Sequence, residues 1–185
     1  MAQTHACDHE HDQPGLSGGA LAAGLTAAES RCAAAGQRLT APRRRVLELL
    51  LGAGQPVKAY DLIAAYGAGG EPAKPPTVYR ALEFLARHGF AHRIESLNAY
   101  IACGGGSEGH AAAFLICDCC GRTREIAPAG ASEIERLAAE RGFTLTGLTV
   151  EAHGRCQDCA PRCRSSESRS GAGASTPGNA TRWGT

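Results

Sequence analysis

Cys117-x-x-Cys120 and Cys156-x-x-Cys159 are the strings in this sequence whose residue types and spacing carry the most specific chemistry. Each pair sets two thiols on one tight turn, where both reach a single tetrahedral ion. The 35 residues between the pairs are enough chain to return the second turn to the first. Four thiolates in that arrangement make a closed structural Zn²⁺ site. Cys119 turns the first string into Cys-Asp-Cys-Cys and competes for a place in the set, although a spacing of two residues favours Cys117 and Cys120. The other readings are unrelated buried cysteines or a redox dithiol. The surroundings argue against the dithiol, because the first pair sits between a strand-like run and Gly121 rather than between a strand and a helix.

A second set is more dispersed. His92, Cys103, His110 and Glu125 supply two imidazoles, a thiolate and a carboxylate, a reasonable four-ligand group for another Zn²⁺. Spacing alone leaves their convergence open, since a histidine beside a hairpin is more often an ordinary surface or core residue. His5, Cys7, His9 and His11 offer only loose metal binding, Cys163 is surplus, and Cys32 suits the buried face of a helix. No nucleophile–base pair or phosphate loop is present, so the chain does not read as an enzyme.

The chain has 185 residues, nine of them cysteine, and no run of about 18 apolar residues, which excludes a membrane-spanning helix. Its N-terminus is acidic and histidine-rich, without the basic and apolar regions of a signal peptide. A cytoplasmic protein with reduced thiols is expected, which again favours metal over disulfides.

Elements must hold these ligands. Residues 1–24 and 164–185 lack apolar periodicity and read as disordered tails. Between them, helices are expected at 26–35, capped by Thr26, and from Thr40 and Pro42 to Gly52 or Gly54, with Val46, Leu47, Leu49 and Leu50 inward. A third is expected at 57–66, burying Leu62, Ile63 and Tyr66, and a fourth at 77–88, with Val78, Ala81, Leu82 and Leu85 at helical spacing. The alternating runs 91–95 and 99–103 form a hairpin. Strands at 113–117, 122–127 and 143–151 then frame a helix over 131–141 that turns Ile134, Leu137 and Ala138 inward. The fold class is α/β (α+β). A winged helix-turn-helix occupies 25–98, and a β-β-α-β dimerisation domain with exposed strands occupies 99–163.

The formal net charge of +1 conceals an uneven distribution: residues 27–95 carry ten Lys/Arg against six Asp/Glu, whereas 96–163 carry six against eight. The basic block is the winged-helix half, which suits double-stranded DNA. On its fourth helix Arg80 is a candidate base reader, because its fork matches guanine O6 and N7. Tyr60 and Tyr79 are candidates for phosphate or thymine-methyl contact. The competing reading makes Arg80 a solvated arginine and both tyrosines packing residues.

Over most of residues 27–160 the chain resembles the ferric-uptake-regulator family, and within it the zinc-uptake-regulator branch. The resemblance lies in QRLTAPRRRVLELL (37–50), KAYDLI (58–63), KPPTVYRALEFLARHGFAHRIESLNAYIAC (74–103), HAAAFLICDCCGRTREI (110–126) and EAHGRCQDC (151–159). It implies a homodimeric, zinc-responsive repressor of zinc-uptake genes that binds operator DNA and two Zn²⁺ per chain. It implies Cys117, Cys120, Cys156 and Cys159 as structural ligands, and His92, Cys103, His110 and Glu125 as regulatory ligands. Tyr60 and Arg80 match base-reading positions, with Tyr79 beside them at the DNA backbone or packed. A lone His110 replaces the His-x-His run of the iron-sensing branch. The alternative is a family member that senses iron, manganese, nickel or peroxide.

Overall fold

The computed structural model describes residues 14–67, 74–103, 111–127 and 130–160. His110, Cys163, the N-terminal cluster of His5, Cys7, His9 and His11, and the 164–185 tail lie outside the described residues.

Helix α1 spans Gly18–Ala34, eight residues longer at its start than the sequence pattern indicates. Residues 18–24, assigned above to a disordered tail, are therefore helical. Thr26 does not cap this helix. It lies inside it, where its hydroxyl donates to the Ala22 carbonyl at 3.0 Å. Leu25, Ala28 and Cys32 form the buried face, so Cys32 occupies the small buried position expected for it. Helix α2 (Ala41–Ala53) follows Thr40, which occupies the cap position without a side-chain capping bond. It ends at Gly54, whose φ of 63° is the left-handed conformation that glycine adopts without strain.

Residues 57 and 58 are not helical. Val57–Lys58 forms a short strand β1, and helix α3 starts at Ala59 and runs to Gly67. Helix α4 (Pro75–Arg87) buries Val78, Ala81, Leu82, Phe84 and Leu85. These side chains meet Val46, Leu47, Leu50 and Leu62 in the core of the first half, while Ile63 and Tyr66 pack at its edge, partly buried.

Strands β2 (Ala91–Ile94) and β3 (Ala99–Ala102) form the expected hairpin, and β1 joins it in the antiparallel order β1-β3-β2. A domain boundary between residues 98 and 99 would cut that hairpin. Ala99–Ala102 belong to the wing sheet, and the chain leaves it after them.

The second half is the β-β-α-β unit: β4 (Ala112–Cys117), β5 (Thr123–Ile126), helix α5 (Ala131–Glu140) and β6 (Thr149–Gly154). Sheet order is β5-β4-β6, with β4 antiparallel to β5 and parallel to β6. The apolar run of β4 suits its central place, where five of its six residues are buried. The last strand begins at 149 rather than 143 because its register is set by β4, whose first residue, Ala112, pairs with Thr149. Helix α5 buries no residue, and Ile134 is exposed rather than inward.

The halves meet through a small apolar cluster. Ile94 and Ile101 of the wing pack with Ala112, Phe114 and Ile116 of β4. No described helix is long and apolar enough to cross a membrane.

Candidate metal centres and nucleic-acid interface

The parallel pairing of β4 with β6 accounts for the meeting of two cysteine pairs so far apart in sequence. Cys117 ends β4 opposite Gly154, the last residue of β6, and Cys156 follows two residues later. The turns are tied directly: the Asp118 N–H donates to the Gly154 carbonyl at 2.8 Å, and the Cys156 N–H donates to Cys117 Sγ at 3.3 Å. Gly121, at φ 73°, closes the first turn, and its N–H reaches the Cys117 carbonyl at 2.8 Å. An ion pair between Arg122 and Asp158 at 2.7 Å clamps the turns from outside.

Ligand atoms of Cys117, Cys120, Cys156 and Cys159 all lie within 4.8 Å of one another. Thiolates at about 2.3 Å from a tetrahedral Zn²⁺ stand about 3.8 Å apart. The Cys120 and Cys156 sulfurs are 3.8 Å apart, so this donor set fits that ion. Cys119 is not part of the converging set.

The thiols respond unequally to their surroundings. Burial opposes ionisation of Cys117, but the N–H groups of Cys156, Cys120 and Cys119 and the Cys120 thiol outweigh it, bringing its pKa down to about 6. Burial raises Cys120 and, together with the neighbouring thiols, raises Cys159 to about 12.

A second group joins His92, Cys103 and Glu125, again with ligand atoms within 4.8 Å of one another. His92 comes from β2, Glu125 from β5, and Cys103 from just beyond β3, where its N–H donates to the Phe90 carbonyl at 3.0 Å. Glu125 Oε1 is 3.7 Å from His92 Nε2 and 4.0 Å from Cys103 Sγ, close to the edges of a tetrahedral site. The His92 ring meets Phe114 edge-on at 5.5 Å between centroids. This cluster therefore bridges the wing and the C-terminal sheet. Three of the four residues named from the sequence come together. The fourth, His110, falls outside the described residues.

In the first half, Tyr60 is 78% exposed at the start of α3 and Tyr79 is 51% exposed on α4, with Arg80 exposed beside it. Neither tyrosine is a packing residue. Lys58 and Lys74, both exposed, open the segments leading into α3 and α4. Arg43 lies over the Phe84 ring at 3.4 Å, a stacking contact with no signature in the sequence.

Residues 34–153 match the model of the ferric uptake regulator family. The chain belongs to the ferric uptake regulator family. It is 42% identical over 137 residues, 73% of this chain and 80% of the relative, to the "Zinc uptake regulation protein" of Escherichia coli strain K12. Among solved structures it resembles "holo XcZur" at 42% identity and a TM-score of 0.66, covering 74% of this chain and 96% of that one. It also resembles a "Zinc Uptake Regulator Complexed With Zinc AND DNA" at 40% identity and a TM-score of 0.70, covering 76% and 95%. Within this family fold, Glu151 and His153 are the polar residues near the clusters that motif reading passed over. Both lie in the EAHG string, but spacing gave them no role.

Proposed function

We propose that this chain is a zinc-responsive transcriptional repressor. It binds operator DNA as a homodimer when Zn²⁺ fills the cluster between its two halves, and represses genes of zinc uptake. The observation that carries this reading is the His92–Cys103–Glu125 group, because its ligands belong to both the DNA-binding wing and the C-terminal sheet. The relatives named above are zinc regulators, one of them in complex with zinc and DNA, and they support the same reading.

In this reading His110 is the fourth ligand of the regulatory site, and Cys117, Cys120, Cys156 and Cys159 hold a second, structural Zn²⁺, giving two per chain. Zn²⁺ acts there as a redox-inert crosslink between side chains. His92 fixes the wing and Glu125 the C-terminal sheet, while Cys103 fixes the chain where it leaves β3. The angle between the halves then depends on zinc, and with it the match of two recognition helices to successive major grooves. A thiolate in the sensor favours zinc over the harder ions, Fe²⁺ and Mn²⁺. Arg80 reads a base from the exposed face of α4, and Tyr60 and Tyr79 contact the DNA around it.

The test is operator binding in zinc buffers. Wild-type protein binds with a sharp zinc dependence. Cys103→Ser and His92→Ala lose that dependence while keeping the fold and one zinc per chain. Unchanged zinc-dependent binding in both variants defeats the reading, and a sharper response to buffered Fe²⁺ or Mn²⁺ than to Zn²⁺ reassigns the signal.

A further inference from the structure

Across the C-terminal sheet, one row of residues faces the wing. Phe114 on central β4 pairs in register with Glu125 on β5 and with Glu151 on β6, and residues paired across a sheet share a face. Each member of the row engages the winged half. Glu125 approaches His92 and Cys103, and Phe114 abuts the His92 ring. Glu151 grips the turn at the tip of the hairpin: the Glu95 N–H donates to its Oε1 at 2.7 Å and the Ser96 N–H to its Oε2 at 3.1 Å. The first two contacts belong to the regulatory cluster. The third lies outside it and is made by backbone N–H groups rather than metal ligands.

We propose that Glu151 is a positioning residue for the zinc response: its carboxylate docks the wing turn on the C-terminal sheet, holding His92 over Glu125 before metal binds and so setting the zinc concentration at which the operator is bound. The metal response rests on the function proposed above, whereas the docking does not. Both carboxylate oxygens are used, one per backbone donor, which fixes an orientation as well as a distance. The Glu151 side chain is only 16% exposed, so water competes weakly for it. Burial disfavours its charge, but the Ser96 hydroxyl and the two N–H donors outweigh that and hold the carboxyl below the usual range. His153 adds a brace from behind. Its Nε2 is 4.0 Å from Glu151 Oε2, and its Nδ1 is 2.9 Å from Asp118 Oδ1 in the first cysteine turn. The wing tip is thus linked, residue by residue, to the four-thiol cluster.

A pre-docked wing raises the fraction of metal-free molecules ready to bind zinc. Apparent zinc affinity scales with that fraction, whereas the state reached at saturating zinc does not. A residue that only stabilised the fold would move neither quantity in this pattern.

The experiment compares full-length wild type, Glu151→Gln and Glu151→Ala, each with the four-thiol site loaded. With free zinc chelated, amide hydrogen exchange at Glu95 and Ser96 is expected to quicken at least fivefold in Glu151→Ala and less in Glu151→Gln, which keeps one acceptor oxygen. Amides of α2 and α4 stay unchanged. In zinc-buffered operator titrations, the midpoint for Glu151→Ala moves about tenfold to higher free zinc, while affinity at saturating zinc stays within twofold of wild type. Unchanged exchange at Glu95 and Ser96, an unmoved midpoint, or loss of affinity at saturating zinc each overturns the proposal. If wild type itself ignores zinc, the functional reading fails, and the exchange measurement still decides the docking.

Discussion

Four thiols brought together without a cation repel one another as soon as more than one ionises. In this chain the first charge settles on Cys117, whose sulfur accepts from the Cys156 N–H and whose pKa falls to about 6. Cys159 is fully enclosed, and burial with its neighbouring thiols pushes it to about 12, while Cys120 is raised for related reasons. At neutral pH the metal-free set therefore holds a thiolate at Cys117 and protonated thiols at Cys120 and Cys159. Because Zn²⁺ takes thiolates, its binding must expel those protons. Calorimetry of zinc uptake at pH 7, in buffers of different ionisation enthalpy, is expected to show at least the protons of Cys120 and Cys159 released. Affinity then falls as the pH is lowered, since acid returns the protons that zinc displaces. Zinc binding without net proton release would mean that the thiols are already ionised and that this assignment of charge is wrong.

Helix α4 divides its residues between two tasks that separate measurements can distinguish. Leu82 is fully buried in the first core, so Leu82→Ala is expected to cost about 2–5 kcal/mol of stability in denaturant unfolding. Arg80 is exposed on the opposite face, and Arg80→Ala is expected to leave unfolding unchanged while costing about 1–3 kcal/mol of operator binding and relaxing preference at one base position. An Arg80→Ala variant with full sequence preference would remove this residue from base reading. The apolar positions of α4 were legible because they recur at helical spacing along an otherwise polar helix. The start of α1 was not, since residues 18–24 are mostly glycine and alanine, with Leu21 alone among them packing, partly buried, against the core that Leu25, Ala28 and Cys32 enter. Strand β1 is two residues long and exists through its pairing with Tyr100 and Ala99, a tertiary contact invisible in local pattern. The four-thiol set was readable from spacing, whereas His92, Cys103 and Glu125 meet through strand register and the packing of the halves. Glu151 engages mainly backbone N–H groups, which every residue type except proline would supply at 95 and 96, so no pattern in sequence announces it.

The two faces of the C-terminal sheet have different fates in the whole molecule. The row Glu125–Phe114–Glu151 is turned to the wing, and the alternating rows fall on the other face. Ile126 and Val150 flank Ala113, and Leu115 stands between Arg124 and Ala152. Leu115, Ile126 and Val150 are exposed, as are Ile134, Phe143 and Leu145 around α5, and Phe143 is 69% accessible. Among the described residues of the first half, the exposed large apolar side chains are Leu16 and the two tyrosines proposed to contact DNA. An uncovered apolar surface concentrated on one module is what a partner subunit would bury, and it accounts for α5 having no buried residue in the single chain. A second copy is the economical occupant under the proposed function, in which paired half-sites are read. Leu115→Glu places a charge on the central strand of that face without disturbing the core, since Leu115 is already 45% exposed. Sedimentation velocity is expected to show a monomer with the zinc content of wild type, with operator binding weakened at least about a hundredfold because one half-site is lost. A Leu115→Glu dimer as tight as wild type would move the interface elsewhere. A monomer that still binds the operator with full affinity would show that pairing of recognition helices is not what zinc controls.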